Sequence, residues 1–113
     1  MAYIVDKDSL PGSVTSRTFE GYLNGDVHVS FFLSSTPPGR GPGLHTHPYE
    51  EVFIVQAGKL TFTVGEETVE VNAERVVVVP PNTPHKFTNT GDEIAHHIDI
   101  HVSGQMQTKW LEE

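Results

Sequence analysis

The stretch GRGPGLHTHPYEEVFIVQAG, residues 39–58, carries His45 and His47 one residue apart and Glu51 four positions after the second histidine. A loop rich in glycine and proline has no structural need for imidazoles at alternate positions. In extended backbone, alternate side chains point to the same face, so the two histidines are expected to lie side by side. By the same rule, Glu51 shares a face with Phe53 in the strand that follows. The stretch therefore predicts two neighbouring imidazoles close to a carboxylate.

Short segments with alternating or β-branched residues recur along the chain and are separated by turn residues. They read SVTSRTFEGY, DVHVSFFLS, EEVFIVQ, KLTFTV, TVEVN, RVVVVP, HKFTN and AHHIDIHVS. No long segment has helical periodicity, so strands of this length and spacing indicate an all-β sandwich or barrel. Residues 57–59 and 65–67 are expected to form hairpin turns that use the conformational freedom of glycine. The tail TKWLEE is expected to be a short helix or an edge strand that covers the barrel.

The composition favours one globular domain over residues 1–113, since 36% of the chain is apolar and 19% is charged. There is no cysteine, which excludes disulfides and thiolate metal sites and suits a reducing cytoplasm. A net charge of −8 with scattered basic residues argues against nucleic acid as a partner. Neither a secretory signal nor a bilayer-length apolar run is found, so no membrane association is expected and the cytoplasm is the expected location.

A further histidine lies in the segment HKFTN, where His85 shares a face with Phe87 and Asn89. If this face and the faces of the opening stretch all point inward, three imidazoles and one carboxylate meet inside the barrel. This ligand set suits Fe, Mn, Co, Ni, Cu or Zn rather than Ca or Mg. Such an ion keeps an open position when it is five- or six-coordinate, and a chelating substrate or dioxygen can bind there.

These two segments resemble the two motifs of the cupin family. The first motif, G-x5-H-x-H-x3-E-x6-G, is matched at every specified position by Gly39, His45, His47, Glu51 and Gly58. Most of the second motif, P-x-G-x2-H-x3-N, is matched by Pro80, Asn82, His85 and Asn89. The chain is therefore similar to a small single-domain cupin.

Two glycines of the second motif are replaced in this chain. Glu74 stands where the motif opens with glycine, so a turn that needs positive φ is expected to shift to Asn72 or to be built differently. Asn82 replaces the glycine after the proline, and asparagine enters the left-handed region more readily than most residues. Both changes concern the shape of turns and leave the metal-ligand positions intact.

The resemblance implies a double-stranded β-helix, which is a jelly roll of two packed antiparallel sheets. It also implies one divalent transition metal, held by His45, His47, Glu51 and His85. Cupins range from dioxygenases and isomerases to non-catalytic binding proteins, so the fold leaves the function open. The resemblance and the apolar ends, AYIV and KWL, predict a homodimer.

Two functional hypotheses follow. In the first, the chain is a metal-dependent dioxygenase or isomerase that acts on a small oxygen-rich metabolite, with Glu51 as a loosely held ligand that doubles as base and His101 as acid. In the second, the metal anchors a small molecule in the barrel without chemistry, and the chain is a binding or sensing module. The sequence does not decide whether the chain is an enzyme.

The segment AHHIDIHVS leaves the inward face of its strand undecided. Either the isoleucines fill the barrel, or Asp99 and His101 enter the cavity as a proton shuttle or as partners of a metal ligand. Outside this strand, Tyr49 is expected at the barrel mouth, Glu50 is expected to point outward and His28 is expected to be an ordinary strand histidine. Three phenylalanines, at positions 53, 62 and 87, are expected to form core rather than a pocket wall.

Overall fold

The alternating segments form ten strands in the computed structural model, which describes residues 2–112. Met1 and Glu113, the two ends of the expected domain, lie outside the described residues. The strands are β1 Ser16–Phe19, β2 Ser30–Thr36, β3 His45–Thr46, β4 Glu51–Ala57, β5 Lys59–Val64, β6 Glu67–Asn72, β7 Arg75–Val79, β8 His85–Asn89, β9 Ala95–His101 and β10 Lys109–Trp110. Within the described chain, the helical elements are two short 3-10 helices, Lys7–Ser9 and Gly21–Leu23.

The strands pair into two antiparallel sheets of five strands each. One sheet has the order β1-β2-β9-β4-β7 and the other has the order β10-β3-β8-β5-β6. Strands that are distant in sequence are neighbours, as when β2 and β4 flank β9. This arrangement confirms the all-β jelly roll that the motifs implied.

The core lies between the two sheets because β4, β8 and β9 bury every second residue. Phe53 on β4 packs edge-to-face against Phe62 on β5, with ring centroids 4.9 Å apart. Each large apolar side chain buried in this way contributes roughly 1.5–3 kcal/mol to folding. The buried apolar cluster consists of Phe53, Val55, Leu60, Phe62, Val71, Val79, Phe87 and Ala95.

The predicted segments all contain strands, and the alternatives for the tail are resolved. Residues 109–110 form the edge strand β10, which pairs with the two-residue strand β3. The sequence did not predict β3, because two residues are too few to show a period. Among residues 2–112 no helix is long and apolar enough to cross a membrane. The cytoplasmic location stays a prediction.

One of the two predicted hairpins is wrong. β4 ends at Ala57 and β5 begins at Lys59, but the two strands belong to different sheets. Gly58 connects them with φ +86°, and a Cβ added there would lie 2.7 Å from the Cα of Ala95. Residues 57–59 are therefore a tight crossover between sheets that passes against β9. The second hairpin is confirmed, since β5 and β6 pair directly on either side of residues 65–66.

The turn before β7 keeps the position of the missing motif glycine. Glu74 itself has φ +69°, and its backbone N–H donates to the Val55 carbonyl at 2.7 Å. Asn72 is paired with Lys59 at the end of β6, so the expected shift of the turn to Asn72 is wrong. Asn82 does adopt the left-handed region, with φ +59°.

Replacing Glu74 by glycine is expected to stabilise the protein. The side chain of Glu74 is exposed, and left-handed backbone in a residue with a Cβ costs on the order of 1–2 kcal/mol. Glycine removes that cost but adds entropy to the unfolded chain, so we expect a net gain of about 0.5–1 kcal/mol in the free energy of urea unfolding for Glu74→Gly.

Asn72→Gly is the matched control for Glu74→Gly. Its position lies in a strand, where glycine costs about 0.5–1 kcal/mol. The opposite order of stabilities would place the left-handed residue at position 72 and would contradict the turn described above.

Candidate metal centre

Four side chains from separate parts of the chain meet at one end of the space between the sheets. His45 lies on β3, His47 follows it directly, Glu51 begins β4 and His85 begins β8. His45 on β3 lies opposite His85 on the neighbouring strand β8 of the second sheet, whereas Glu51 belongs to β4 of the first sheet. All four residues are buried, and their candidate ligand atoms lie within 4.8 Å of one another. The convergence expected from the motifs is present.

The distances around Glu51 have the size expected for ligands of one ion. Its Oε1 atom lies 3.0 Å from Nε2 of His47 and 3.0 Å from Nε2 of His85. Two ligands at right angles around an ion with bonds of about 2.1 Å are separated by roughly 3.0 Å. The Nε2 atom of His47 is buried and forms no hydrogen bond within the described residues. A cation between these atoms would satisfy it.

The Nδ1 atoms of the three motif histidines are all held by backbone carbonyl groups. The acceptors are Gly43 for His45 at 2.7 Å, Gln107 for His47 at 2.8 Å and Thr83 for His85 at 2.8 Å. A carbonyl oxygen only accepts, so each Nδ1 carries the proton and the Nε2 lone pair of the neutral ring is available to a metal. These contacts fix both the tautomer and the orientation of the rings.

His101 is adjacent to this cluster but has a different hydrogen-bond partner. Its Nε2 lies 3.1 Å from Oε2 of Glu51, and its Nδ1 lies 2.7 Å from the hydroxyl of Tyr49. The Tyr49 oxygen accepts the Gln107 N–H at 3.0 Å, and its own hydrogen faces two acceptors, the Gln107 carbonyl at 3.4 Å and Nδ1 of His101 at 2.7 Å, of which Nδ1 is the nearer. With Nδ1 as acceptor, the neutral ring has its proton on Nε2, facing Glu51. His101 therefore orients the second oxygen of the carboxylate.

The protonation of Glu51 is set by these imidazoles. Burial alone would raise the pKa of the carboxyl, but the imidazoles of His101, His47 and His85 close to its two oxygens outweigh burial and hold the pKa well below its usual range. Burial lowers the pKa of His45. Both ring nitrogens of His85 face acceptor oxygens, which outweighs burial and raises its pKa. The ring of His85 thus needs a second proton or a cation beside it, as expected of a metal ligand.

The polar face of β9 points inward, which settles the alternative left open by the sequence. His97, Asp99 and His101 are each at least 96% buried, whereas Ile98 and Ile100 are partly exposed. The Nδ1 atom of His97 donates to Asp99 at 2.5 Å, and its Nε2 lies 2.8 Å from the hydroxyl of Thr36. Burial raises the pKa of Asp99 against the opposing hydrogen bond from His97. The isoleucines therefore do not fill the barrel.

A cavity of about 130 Å³ is lined by three of the four candidate ligands, His45, His47 and Glu51. Phe53 and Phe87 belong to the core, as expected, but they also form part of the wall of this cavity, which was not expected. Trp110 packs on His45 with ring centroids 4.8 Å apart and contributes to the cavity wall. The complete lining is Phe32, Pro42, His45, His47, Glu51, Phe53, Phe87, Asp99, His101, Thr108 and Trp110.

The other residues considered from the sequence lie where they were expected or farther from the site. Glu50 is exposed, as expected, and His28 is exposed in a loop rather than placed in a strand. Tyr49 is buried and stacks on His47 with ring centroids 5.2 Å apart. The sequence did not predict the role of Gln107, whose main chain contacts both His47 and Tyr49. Because these contacts use main-chain atoms, which do not depend on the residue type, the sequence gives no sign of them.

Comparisons with known proteins agree with this geometry. The model of the Cupin domain family (Cupin_2) matches residues 32–101. The chain is 35% identical over 79 residues to the H2HPP isomerase of Bacillus subtilis, covering 69% of this chain and 33% of that protein. It is 30% identical over 88 residues to auxin-binding protein 4 of Zea mays, covering 70% of this chain and 41% of that protein. The chain thus spans less than half the length of these relatives.

Among solved structures, the fold is similar to that of an oxalate decarboxylase of Bacillus subtilis with Mn(II) centres. The TM-score is 0.80 at 23% identity, and the match covers 92% of this chain and 30% of the decarboxylase. At this level of identity the likeness concerns the jelly roll alone.

Removal of one candidate ligand is expected to abolish metal binding. We expect about one transition-metal ion per chain in the unaltered protein and at least a tenfold loss of metal affinity in His47→Ala, because its Nε2 atom is one of the converging donors. The measurement is elemental analysis after dialysis, together with the shift in melting temperature on adding a chelator, which should vanish in the variant.

His96→Ala is the matched control for this variant. His96 is exposed and contacts Ser35 rather than the cluster, so metal content and the chelator response should be retained. Full metal content in His47→Ala would contradict the assignment.

Proposed function

The chain belongs to the cupin family, and from that premise we propose that it is a metal-dependent enzyme of the dioxygenase or isomerase type that acts on a small oxygen-rich metabolite. One observation carries the proposal: three imidazoles and a carboxylate have converging ligand atoms, and His45, His47 and Glu51 of this set line a small cavity. The resemblance to H2HPP isomerase supports an enzymatic reading. A transition-metal ion at this cluster would supply Lewis-acid character and, for a redox metal, the capacity to activate dioxygen.

Glu51 and His101 form the pair that we propose for proton transfer. Oε1 of Glu51 faces the histidines of the metal cluster, while Oε2 faces Nε2 of His101 at 3.1 Å. An isomerisation that moves a proton between two carbons needs one group that takes the proton and another that returns one. Glu51 takes the proton in this proposal, and His101 returns one from Nε2 while its Nδ1 takes the hydroxyl hydrogen of Tyr49, so that the ring stays neutral. The proton held by Glu51 then restores Tyr49 through His101. Tyr49 holds His101 in position through Nδ1.

The size of the cavity restricts the substrate. Its volume is about 130 Å³, and an engineered protein cavity of about 150 Å³ accommodates benzene. Molecules near this size, such as short organic acids and small β-diketones, fit beside the metal cluster. Flavonols are more than twice as large as benzene in heavy-atom count and do not fit the cavity as it stands.

The alternative is a binding or sensing module in which the metal anchors a metabolite without chemistry. The resemblance to auxin-binding protein 4 of Zea mays favours it, because that protein is named for binding rather than for a reaction. The same cavity and the same four ligands serve this alternative. What separates the two functions is whether a bound molecule changes.

Turnover can be tested with a panel of small molecules under air. The protein would be loaded in turn with iron, manganese, nickel, cobalt, copper and zinc. We expect at least one of these forms to convert a short organic acid or a small β-diketone. Oxygen uptake and product analysis measure the conversion. Glu51→Gln removes the proposed base and should lower kcat by at least a hundredfold, given the usual contribution of general base catalysis.

Two outcomes speak against the enzyme. No oxygen uptake and no product across the panel would contradict it. A molecule that copurifies with the protein and stays intact after days with iron and oxygen would instead favour the binding module.

We also propose that the chain forms a homodimer through its apolar ends. Ile4 is 85% exposed and Leu111 is 46% exposed, so burial in a partner would remove apolar area from water. Light scattering at micromolar concentration should give twice the chain mass, and Ile4→Glu should shift the protein toward monomer. Val14→Glu, which changes an exposed valine outside these ends, is the control and should remain dimeric. A monomeric unaltered protein would contradict the proposal.

A further inference from the structure

The cavity beside the metal cluster has a second polar group, which the proposed metal site does not use. Asp99 lines the cavity together with His45, His47 and Glu51, and most of the wall between them is apolar. The apolar part of the wall comes from Phe32, Pro42, Phe53, Phe87 and Trp110. A ligand in this space therefore meets the metal cluster at one end and a carboxyl group elsewhere.

Asp99 is held rigidly and retains hydrogen-bonding capacity toward the cavity. The residue is 96% buried, and Oδ1 accepts the hydrogen bond from Nδ1 of His97. The Thr36 hydroxyl at Nε2 and the edge-to-face contact with Phe87, with ring centroids 5.1 Å apart, fix the ring of His97. Within residues 2–112 the bond to His97 is the one hydrogen bond of the Asp99 carboxyl group. A buried carboxylate has room for several donors, so Asp99 remains an acceptor for a ligand.

The charges around the cavity exclude an anionic group at this end. No lysine or arginine is among the described residues that line it. A ligand carboxylate beside Asp99 would lie against a mostly apolar wall, without a lysine or arginine to compensate its charge. A hydroxyl or ammonium group would instead donate a hydrogen bond to an Asp99 oxygen.

The separation of the two polar groups sets the length of the ligand. Asp99 and His101 lie two residues apart on the inner face of β9, which corresponds to about 7 Å along the strand. His101 contacts Glu51, so about the same distance separates Asp99 from the metal cluster. A ligand of three or four atoms in its main chain spans this distance when it binds the metal at one end.

We propose that Asp99, positioned by His97, recognises a hydroxyl or ammonium group at the far end of a small metal-chelating substrate and discriminates against substrates that end in a second carboxylate. This inference rests on the proposed metal site and names the substrate class for it. Asp99 is the contact to the ligand, and His97 is a positioning residue.

A series of three 2-hydroxy acids tests the proposal. Lactate, glycerate and tartronate share the chelating end and differ at the other end, which is a methyl, a hydroxymethyl or a carboxylate group. Isothermal titration calorimetry would be performed on protein loaded with zinc, which has no redox chemistry, so that binding alone is measured. Fluorescence of Trp110, which lines the cavity, provides a second signal.

In the unaltered protein we expect glycerate to bind about tenfold more tightly than lactate, because its terminal hydroxyl adds a hydrogen bond to Asp99. Tartronate should bind no more tightly than lactate, although it has more oxygen atoms for the metal. Glycerate that binds no better than lactate, or tartronate that binds best, would overturn the inference.

Asp99→Asn is the diagnostic variant, with Asp92→Asn as a control at an exposed acid away from the cavity lining. The amide retains an oxygen for His97 and presents an N–H₂ group to the cavity, so tartronate should gain at least about tenfold relative to lactate. The control should keep the preferences of the unaltered protein. If the affinity of tartronate relative to lactate is unchanged in a folded Asp99→Asn protein, the inference is overturned. If the variant does not fold, the ligand series in the unaltered protein decides the test.

The zinc content, measured first, separates this inference from the proposed function. Protein that binds no zinc or other transition metal refutes the metal site and the inference with it. Protein that binds zinc and all three acids without preference refutes the role of Asp99 alone.

Discussion

The carboxylate of Glu51, placed among the ε-nitrogens of three histidines between two sheets, is the contact on which the site depends. Burying a carboxylate costs several kcal/mol unless positive charge and hydrogen-bond donors compensate. Here Oε2 faces the Nε2–H of His101, while Oε1 faces the Nε2 lone pairs of His47 and His85, where a bound cation would supply the positive charge. The surrounding backbone directs these rings, because carbonyls in three separate segments hold the Nδ1 atoms of the motif histidines. The jelly roll is the frame that brings these segments together.

Much of the fold and of the metal cluster was predictable from the sequence because the signals are local. Alternation within five to seven residues identifies a strand, and the spacing of His45, His47 and Glu51 places them on neighbouring faces. Errors arose where the deciding interaction is not local. Residues 57–59 resemble a hairpin turn, yet Gly58 joins strands of different sheets because β4 pairs with β7 and β9 instead of β5. The residue types at positions 57–59 do not indicate which strands β4 pairs with.

The orientation of β9 also depends on an interaction that is not local in sequence. A period of two residues separates His97, Asp99 and His101 from the isoleucines but does not say which set faces inward. The pairing with β4 decides it, because Glu51 lies opposite His101 and Phe53 lies opposite Asp99, and both β4 residues point into the barrel. Glu74 is a related case, since the Val55 carbonyl holds its N–H and thereby maintains a backbone conformation that its residue type disfavours.

The interior is divided along its length, and this division bears on the choice between an enzyme and a binding module. One end is filled by the apolar side chains of Leu60, Phe62 and Val71, whereas the other end holds most of the buried polar groups. Buried polar groups cost stability unless they are satisfied, and the Nε2 atoms of His47 and His101 have no hydrogen bond in the described chain. A module that only anchors a ligand through a metal requires the four ligands, and the His97–Asp99 pair across the cavity serves it as well as it serves an enzyme, but it has no need of the Tyr49–His101 pair behind Glu51. An additional imidazole that Tyr49 holds beside a carboxylate is what proton transfer at a bound substrate requires. This surplus of positioned titratable groups is the physical reason to favour an enzyme.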